Sequence, residues 1–180
     1  DTPDEVLEIL APFIVKSDSR VFDPFYCTGR AARFWHDKGK EVIHDPKINF
    51  WAPDCPREET DFDICITSPP FELCKSTFQK LRFYKKFAVF CPLDRMSAGY
   101  WAEPDIQVIC VTTPVKFFKD GKQCDKAFPR PCAWLCKGLN LPKDIMWFKG
   151  PQVDHFVYDE CERKYGVDVA TLEPKVREAY

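Results

Sequence analysis

Glycine is scarce in this 180-residue chain, 7 in all, and no G-x-G-x-x-G string follows an apolar run. That argues against a loop built to cradle a dinucleotide pyrophosphate. Long apolar runs are missing too. None approaches the roughly 20 residues that a helix needs to cross a bilayer, and no secretory signal pattern is present, so no membrane association is expected. Charge of one sign is not in excess: 26 Lys and Arg against 28 Asp and Glu leave a net −2. The total therefore says nothing for a polyanionic partner, and only the distribution can. The 3 histidines are scattered and suggest no catalytic pair. Repeats and low-complexity tracts are absent. The first residue is Asp1 rather than Met, which suggests a trimmed chain or a piece of a longer protein.

Cysteine, by contrast, is plentiful. Ten of them could suggest a secreted disulfide scaffold. Most sit inside apolar runs (Cys65, Cys91, Cys110) or singly among bulky neighbours, where a thiol behaves as a small buried hydrophobe. An intracellular, reduced protein of the cytoplasm or nucleus is expected. Cys124, Cys132, Cys136, His155 and Cys161 lie close enough in sequence to raise the question of zinc. None forms a C-x-x-C knuckle, and no metal site is expected. With 45% hydrophobic and 15% aromatic residues the chain can build one substantial core.

The most informative stretch is Thr67-Ser68-Pro69-Pro70-Phe71. It follows Ile64-Cys65-Ile66, which reads as a buried strand. Two successive prolines have no amide hydrogen for a sheet ladder, so the backbone must leave the sheet stiffly there. Its carbonyls are left without regular partners and a ring stands just past the turn. Such a corner is either a plain rigid surface turn or a grip for a flat, amino-bearing ring. Upstream, Val21-Phe22-Asp23-Pro24-Phe25-Tyr26-Cys27-Thr28-Gly29 passes from a strand into a small-residue turn. An amphipathic helix is expected from Arg30 to Lys38, stopped by Gly39. Strand, glycine-bearing turn and helix bring backbone amides close to a nucleotide-like ligand, and the thin glycine supply favours one without phosphates. Glu41-Val42-Ile43-His44-Asp45 then reads as a strand ending in an acid, suited to accepting from ribose hydroxyls. His44 either lines the same site or faces solvent at the strand end.

Together these residues resemble the class I S-adenosylmethionine-dependent amino-methyltransferases, and the resemblance covers the chain up to about Leu139. It implies that the loop Asp23 to Gly29, through Asp23, Phe25, Cys27 and Gly29, holds the methionine end of the cofactor. Asp45 would hold its ribose, and Asn49, within Asn49-Phe50-Trp51, its adenine. Thr2 and Pro3 would touch the methionine carboxylate. Ser68, Pro69, Pro70 and Phe71 would form the catalytic loop that holds a target amine. S-adenosylmethionine is the implied cofactor, and an exocyclic amine in DNA or RNA the implied target, with adenine N6 favoured over a close cytosine N4. The implied fold is an α/β, Rossmann-like class I methyltransferase sheet. It is mostly parallel, with an antiparallel last pair of strands and a reduced third-strand region between Asp45 and Ile64.

The residues add further expectations. Thr2-Pro3-Asp4-Glu5 reads as a helix start, with Thr2 as N-cap and Glu5 closing a capping box. Strands are expected at 87–91, 106–111 and 132–136, with a helix from about Leu73 to Tyr84. Lys116, Lys119, Lys122, Lys126, Arg130 and Lys137 interleave with Phe117, Phe118 and Phe128. This is either a basic aromatic loop for a nucleic-acid strand or a solvated hairpin with its rings tucked inward. Lys80, Arg82, Lys85 and Lys86 read as the wet face of a helix. Residues 1–140 are expected to form the catalytic domain and 141–180 an extension packed on it. Trp147, Phe148, Phe156 and Tyr158 would cover the sheet edge. That tail is too small for a full target-recognition domain, so a protein partner could supply recognition. A second expectation of a different class is a non-catalytic subunit that keeps the fold as a scaffold for nucleic acid or a partner.

Overall fold

Residue alternation along four apolar runs decides which side chains meet. A computed structural model describes residues 1–98 and 103–148. His155, Phe156, Tyr158 and Cys161 lie outside the described residues. In chain order the elements are α1 (Asp4–Leu10), β1 (Arg20–Phe22), α2 (Arg30–Asp37), β2 (Glu41–Ile43), β3 (Ile64–Thr67), α3 (Cys74–Leu81), β4 (Phe87–Pro92), β5 (Ile106–Val111), β6 (Phe118–Lys119), β7 (Lys122–Gln123), β8 (Cys132–Lys137) and β9 (Ile145–Phe148). The main sheet has seven strands in the order β2-β1-β3-β4-β8-β5-β9. Every pairing in it is parallel except those of β8, which runs antiparallel to both β4 and β5. The fold is thus α/β with a mostly parallel mixed sheet, as expected, and 106–111 and 132–137 do form an antiparallel pair. β6 and β7 form a separate antiparallel ribbon.

Side chains of successive residues point to opposite faces of a strand, and the core divides accordingly. Ile64, Ile66, Ala88, Phe90, Ile109, Trp134 and Cys136 pack with α1 and α2 on one face. Cys65, Phe87, Val89, Val108, Ala133 and Leu135 pack with α3 on the other. β3, β4 and β8 are covered on both sides, which is why they read as unbroken apolar runs. Among the described residues the nine cysteines are free thiols, and most are buried as the apolar context implied. No described helix is long and apolar enough to cross a membrane.

Several expectations are corrected in detail. α1 starts at Asp4 with Pro3 as its N-cap and no side-chain cap. Thr2 is therefore not the N-cap, and Glu5 closes no capping box. The Pro3 carbonyl instead accepts the amides of Val6 and Leu7 at 3.0 and 3.3 Å. Residues 145–148, expected to lie in the extension, join β5 as a parallel edge strand. The Lys80–Lys86 cluster is not one wet face. Lys80 reaches the Phe50 carbonyl, Lys86 pairs with buried Asp18 at 2.6 Å, and Arg82 pairs with Glu103 at 2.7 Å. Between β2 and β3 the described backbone holds turns and one isolated bridge, Glu58 to Phe62. Asp63 clamps the entrance to β3. It accepts from the Arg20 amide at 2.8 Å and from the Arg20 guanidinium at 2.7 Å, and these bonds hold its carboxyl down at about 2.

One glycine is structurally required. Gly138 ends β8 with φ of 72°, and a Cβ there would lie 2.5 Å from the Lys85 carbonyl oxygen. Both the left-handed backbone and the close approach exclude a side chain. Gly138→Ala is expected to lower unfolding free energy by roughly 2–3 kcal/mol, seen as an earlier denaturant midpoint with an unchanged slope.

Candidate functional site

The chain leaves β1 to one side for β2 and later returns to its other side for β3. At such a switch point the loops at the carboxyl ends diverge and leave a crevice. Here those loops are the two segments singled out in the sequence, Asp23 to Gly29 after β1 and Ser68 to Phe71 after β3. They face each other across one cavity of about 310 Å³, lined by Asp23, Phe25, Tyr26, Cys27 and by Ser68, Pro69, Pro70, Phe71. Its floor is apolar, formed by Leu7, Ala31, Trp35, Ile66 and Trp134. Asp1, Thr2, Thr67 and Phe117 complete the wall.

Asp23 is the charged centre of this wall. It is buried, with Thr67 donating to Oδ1 at 2.8 Å and the Phe25 amide at 3.3 Å. Burial pushes its carboxyl up to about 6, opposed by the nearby His44 and by these two hydrogen bonds. His44 does not face solvent: its side chain is 4% exposed. One ring nitrogen lies 3.1 Å from the Asp23 carbonyl oxygen and the other 2.9 Å from that of Tyr26. Its ring also stacks on Tyr26, centroids 4.6 Å apart. His44 thus braces the loop from the β2 side.

The amino-terminal segment braces it from the other. Asp1 accepts from the Thr28 amide at 3.0 Å and from its hydroxyl at 2.6 Å. Asp4 receives Arg30 in a two-pronged pair at 2.9 and 3.0 Å, and the Arg30 guanidinium lies 3.9 Å from the Phe118 ring centroid. Within the loop Cys27 and Gly29 both have positive φ, 46° and 76°. The amides of Tyr26 and Cys27 carry no hydrogen bond within the described residues.

On the opposite wall the Ser68 hydroxyl and the Pro69 carbonyl are likewise without a protein partner among the described residues. The Pro70 carbonyl is taken by the Leu73 amide at 2.8 Å. Phe71 is half-buried and packs on Phe128 at 4.7 Å and on Phe117 at 5.6 Å. These two rings come from the basic connection between β5 and β8. The rings are therefore tucked against the core, yet Phe117 still lines the crevice. The lysines of the same connection, Lys116, Lys119, Lys122 and Lys126, are exposed.

Of the sequence-derived site residues, Thr2, Asp23, Phe25, Cys27, Ser68, Pro69, Pro70 and Phe71 meet at the crevice. Pro3, Gly29, Asp45 and Asn49 do not line it. Asp45 accepts the Lys47 amide at 2.8 Å and Asn49 the Trp51 amide at 3.1 Å, each within its own exposed turn. Thr67, Trp35 and Trp134 were not foreseen as site residues, whereas His44 and Phe117 were each weighed as such against a solvent-facing strand end and an inward-tucked ring. Adjacency to both quoted motifs was a usable signal for Thr67 and His44. Nothing distinguished the two tryptophans from ordinary core. No group of three or more His, Cys, Asp and Glu among the described residues is placed to hold a metal ion. No family model matches the chain, and no curated protein matches it.

Proposed function

We propose that the chain is an S-adenosylmethionine-dependent N-methyltransferase acting on an exocyclic amine of a nucleobase in DNA or RNA, adenine N6 favoured and cytosine N4 close. One observation carries the reading: an acidic loop and a diproline corner share one crevice at the switch point of a mostly parallel sheet. The strand order, with one reversed strand between β4 and β5, supports a Rossmann-like class I methyltransferase sheet shortened on the β2 side.

The residues present suit one end of the cofactor well. An ammonium has the buried Asp23 carboxylate, and a carboxylate has the unpaired amides of Tyr26 and Cys27 and the Thr2 side chain. The nucleoside end is less provided for, because Asp45 and Asn49 stand off the wall. Trp51, exposed beside Asn49, meets the crevice-lining Phe25 edge-on at 5.9 Å. When bound, S-adenosylmethionine supplies an electrophilic methyl group.

The chain's own residues then act on the acceptor. An exocyclic amine is a poor nucleophile because its lone pair is delocalised into the ring. The Ser68 hydroxyl oxygen and the Pro69 carbonyl would accept hydrogen bonds from its two N–H groups, which favours a more tetrahedral nitrogen with its lone pair exposed, and the proton shed by the methylated amine passes to solvent. Stiffness at Pro69 and Pro70 keeps those acceptors in place before the base arrives, so the gain is one of orientation and of charge matching at the amine. No nucleophilic side chain is required, and the buried cysteines have no role in transfer. A base in a duplex must first be turned out, at a cost of a few kcal/mol. Stacking on Phe71 offsets part of it, about 1–3 kcal/mol.

The β6–β7 ribbon supports a nucleic-acid partner. Its Asp120-Gly121 turn has φ of 51° and 77°, the backbone of a tight two-residue hairpin. Lys119 and Lys122 stand exposed on it, and Lys126 just beyond it, without an ion pair among the described residues. Phe117 roots this connection at the crevice. A protein partner is a reasonable source of sequence choice. The second reading, a non-catalytic scaffold, is favoured by the placement of Asp45 and Asn49 away from the wall. Incubation with tritium-labelled cofactor and separate pools of DNA, RNA and protein, followed by nucleoside analysis, decides between them. Label in methylated adenine or cytosine supports the enzyme, and labelled protein alone redirects the target. No label with any pool, together with no cofactor binding, leaves the scaffold.

A further inference from the structure

The β6–β7 ribbon is too short to hold itself in place. Each of its strands has two residues, Phe118–Lys119 against Lys122–Gln123, and even a longer two-stranded hairpin is marginal in water. Its register adds a cost: Lys119 stands directly opposite Lys122, and like charges so placed repel. Successive residues of a strand face opposite ways. The Lys119–Lys122 pair therefore shares one face of the ribbon, and Phe118, opposite Gln123, belongs to the other. The support comes on the Phe118 face. The Arg30 guanidinium lies 3.9 Å from the Phe118 ring centroid and is itself locked to Asp4 at 2.9 and 3.0 Å. The Phe118 amide donates to the Asp1 carbonyl at 2.9 Å. Arg30 is the first residue of α2, directly after the Asp23–Gly29 loop. Phe117, one residue before the ribbon, lines the crevice. The two exposed lysines are thus mounted next to the site on the face turned away from Arg30.

We infer that Arg30 is a positioning residue for nucleic-acid binding: stacked on Phe118 and forked onto Asp4, it fixes the ribbon so that Lys119 and Lys122 together take one backbone phosphate of a strand entering the crevice. The inference rests on the proposed nucleic-acid substrate and adds which residues grip its backbone and which residue mounts them. A phosphodiester suits the pair because one anion between two ammonium groups turns a cross-strand repulsion into two attractions. Arg30 itself does not touch the strand, since its charge is already met by Asp4 and its flat face by Phe118. Arg30→Lys keeps the charge and loses both the stacking face and the two-pronged pair, so it separates a mount from a charge contact.

The test titrates the whole chain into a labelled single-stranded DNA and an RNA of the same sequence, read by fluorescence anisotropy at several salt concentrations. Wild type should bind at least one of them. Lys119→Gln with Lys122→Gln should weaken binding and flatten the slope of log affinity against log salt by roughly 0.7. Arg30→Lys should weaken binding about tenfold and, made in the chain lacking both lysines, should weaken it no further. Wild-type affinity in Arg30→Lys overturns the proposal, and so do additive losses, which would mean that Arg30 acts apart from the lysines. Calorimetry with S-adenosylmethionine accompanies each variant. Unchanged cofactor affinity supports a mount for the ribbon, and an equal loss of both ligands overturns it as damage to the Asp23–Gly29 loop. No binding of either strand by wild type refutes the nucleic-acid reading and the proposal with it, while the cofactor titration of the same sample reports separately on the methyltransferase reading. Hydrogen exchange needs neither ligand. The Cys124 amide, bonded to the Phe117 carbonyl at 2.9 Å, should exchange faster in Arg30→Lys than in wild type while the amides of β4 keep their rates; equal exchange at Cys124 overturns the mount.

Discussion

Asp23→Asn should make the protein more stable and its crevice nearly useless. The Asp23 carboxyl is raised from 3.8 to about 6 because burial disfavours its charged form. Below pH 3.8 the group is protonated in both folded and unfolded chains and its contribution to stability is complete. As pH rises through about 6 the folded form must give up that proton inside the protein, and the contribution is lost. Asparagine keeps an oxygen for the Thr67 hydroxyl and the Phe25 amide but carries no charge. At pH 7.5 the variant should unfold about 1–2 kcal/mol later than wild type, and the gap should close as pH falls toward 4. Its affinity for S-adenosylmethionine should drop a hundredfold or more, because the ammonium loses its only deeply buried counter-charge. Denaturant melts at several pH values and calorimetry check the two halves separately. A variant that binds as wild type does would remove Asp23 from the site, and one that is less stable at every pH would show that the His44 contact outweighs the burial cost.

The second large effect is expected on the opposite wall. Phe71→Ala should leave cofactor affinity within about twofold and cut methyl transfer by tens of fold, the equivalent of a lost base–aromatic stack of about 1–3 kcal/mol. Pro69→Ala should act similarly on turnover by loosening the corner that presents its carbonyl. Neither should unfold the chain. Pro69 is not part of a strand or helix, and Phe71 is only half-buried. Steady-state transfer to an oligonucleotide, with a thermal melt of each variant, reads both quantities. Unchanged turnover in both variants would detach the diproline corner from the chemistry, whatever binds opposite it.

Much of the scaffold was legible because its strands are covered on both faces. Runs such as Phe87-Ala88-Val89-Phe90-Cys91 have no other comfortable place than the middle of a sheet. The two corners were legible for a related reason: proline and positive-φ residues constrain a backbone wherever they occur. What escaped is what depends on tertiary partners. Whether Thr2 or Pro3 begins α1 turned on where the Pro3 carbonyl lies, not on cap chemistry. The strand at 145–148 exists because β5 offers an open edge, and its exposed Trp147 and Ile145 look like tail residues in sequence. His44 read as a strand end because only the fold brings the Tyr26 and Asp23 carbonyls to it. Asp45, correctly placed just after β2 by pattern, turns its carboxylate to its own loop. Asp120-Gly121 was a readable hairpin signal within a segment that charge and aromatic content had already dominated.

The claim on which the rest depends is that the donor loop and the target corner serve one ligand site. Ultraviolet cross-linking of methyl-tritiated S-adenosylmethionine to the intact protein, followed by peptide mapping, tests this most directly. Label should fall on peptides containing Asp23–Gly29 or Ile66–Phe71 and should be displaced by unlabelled S-adenosylhomocysteine. Label that maps elsewhere, or that no competitor displaces, would contradict it.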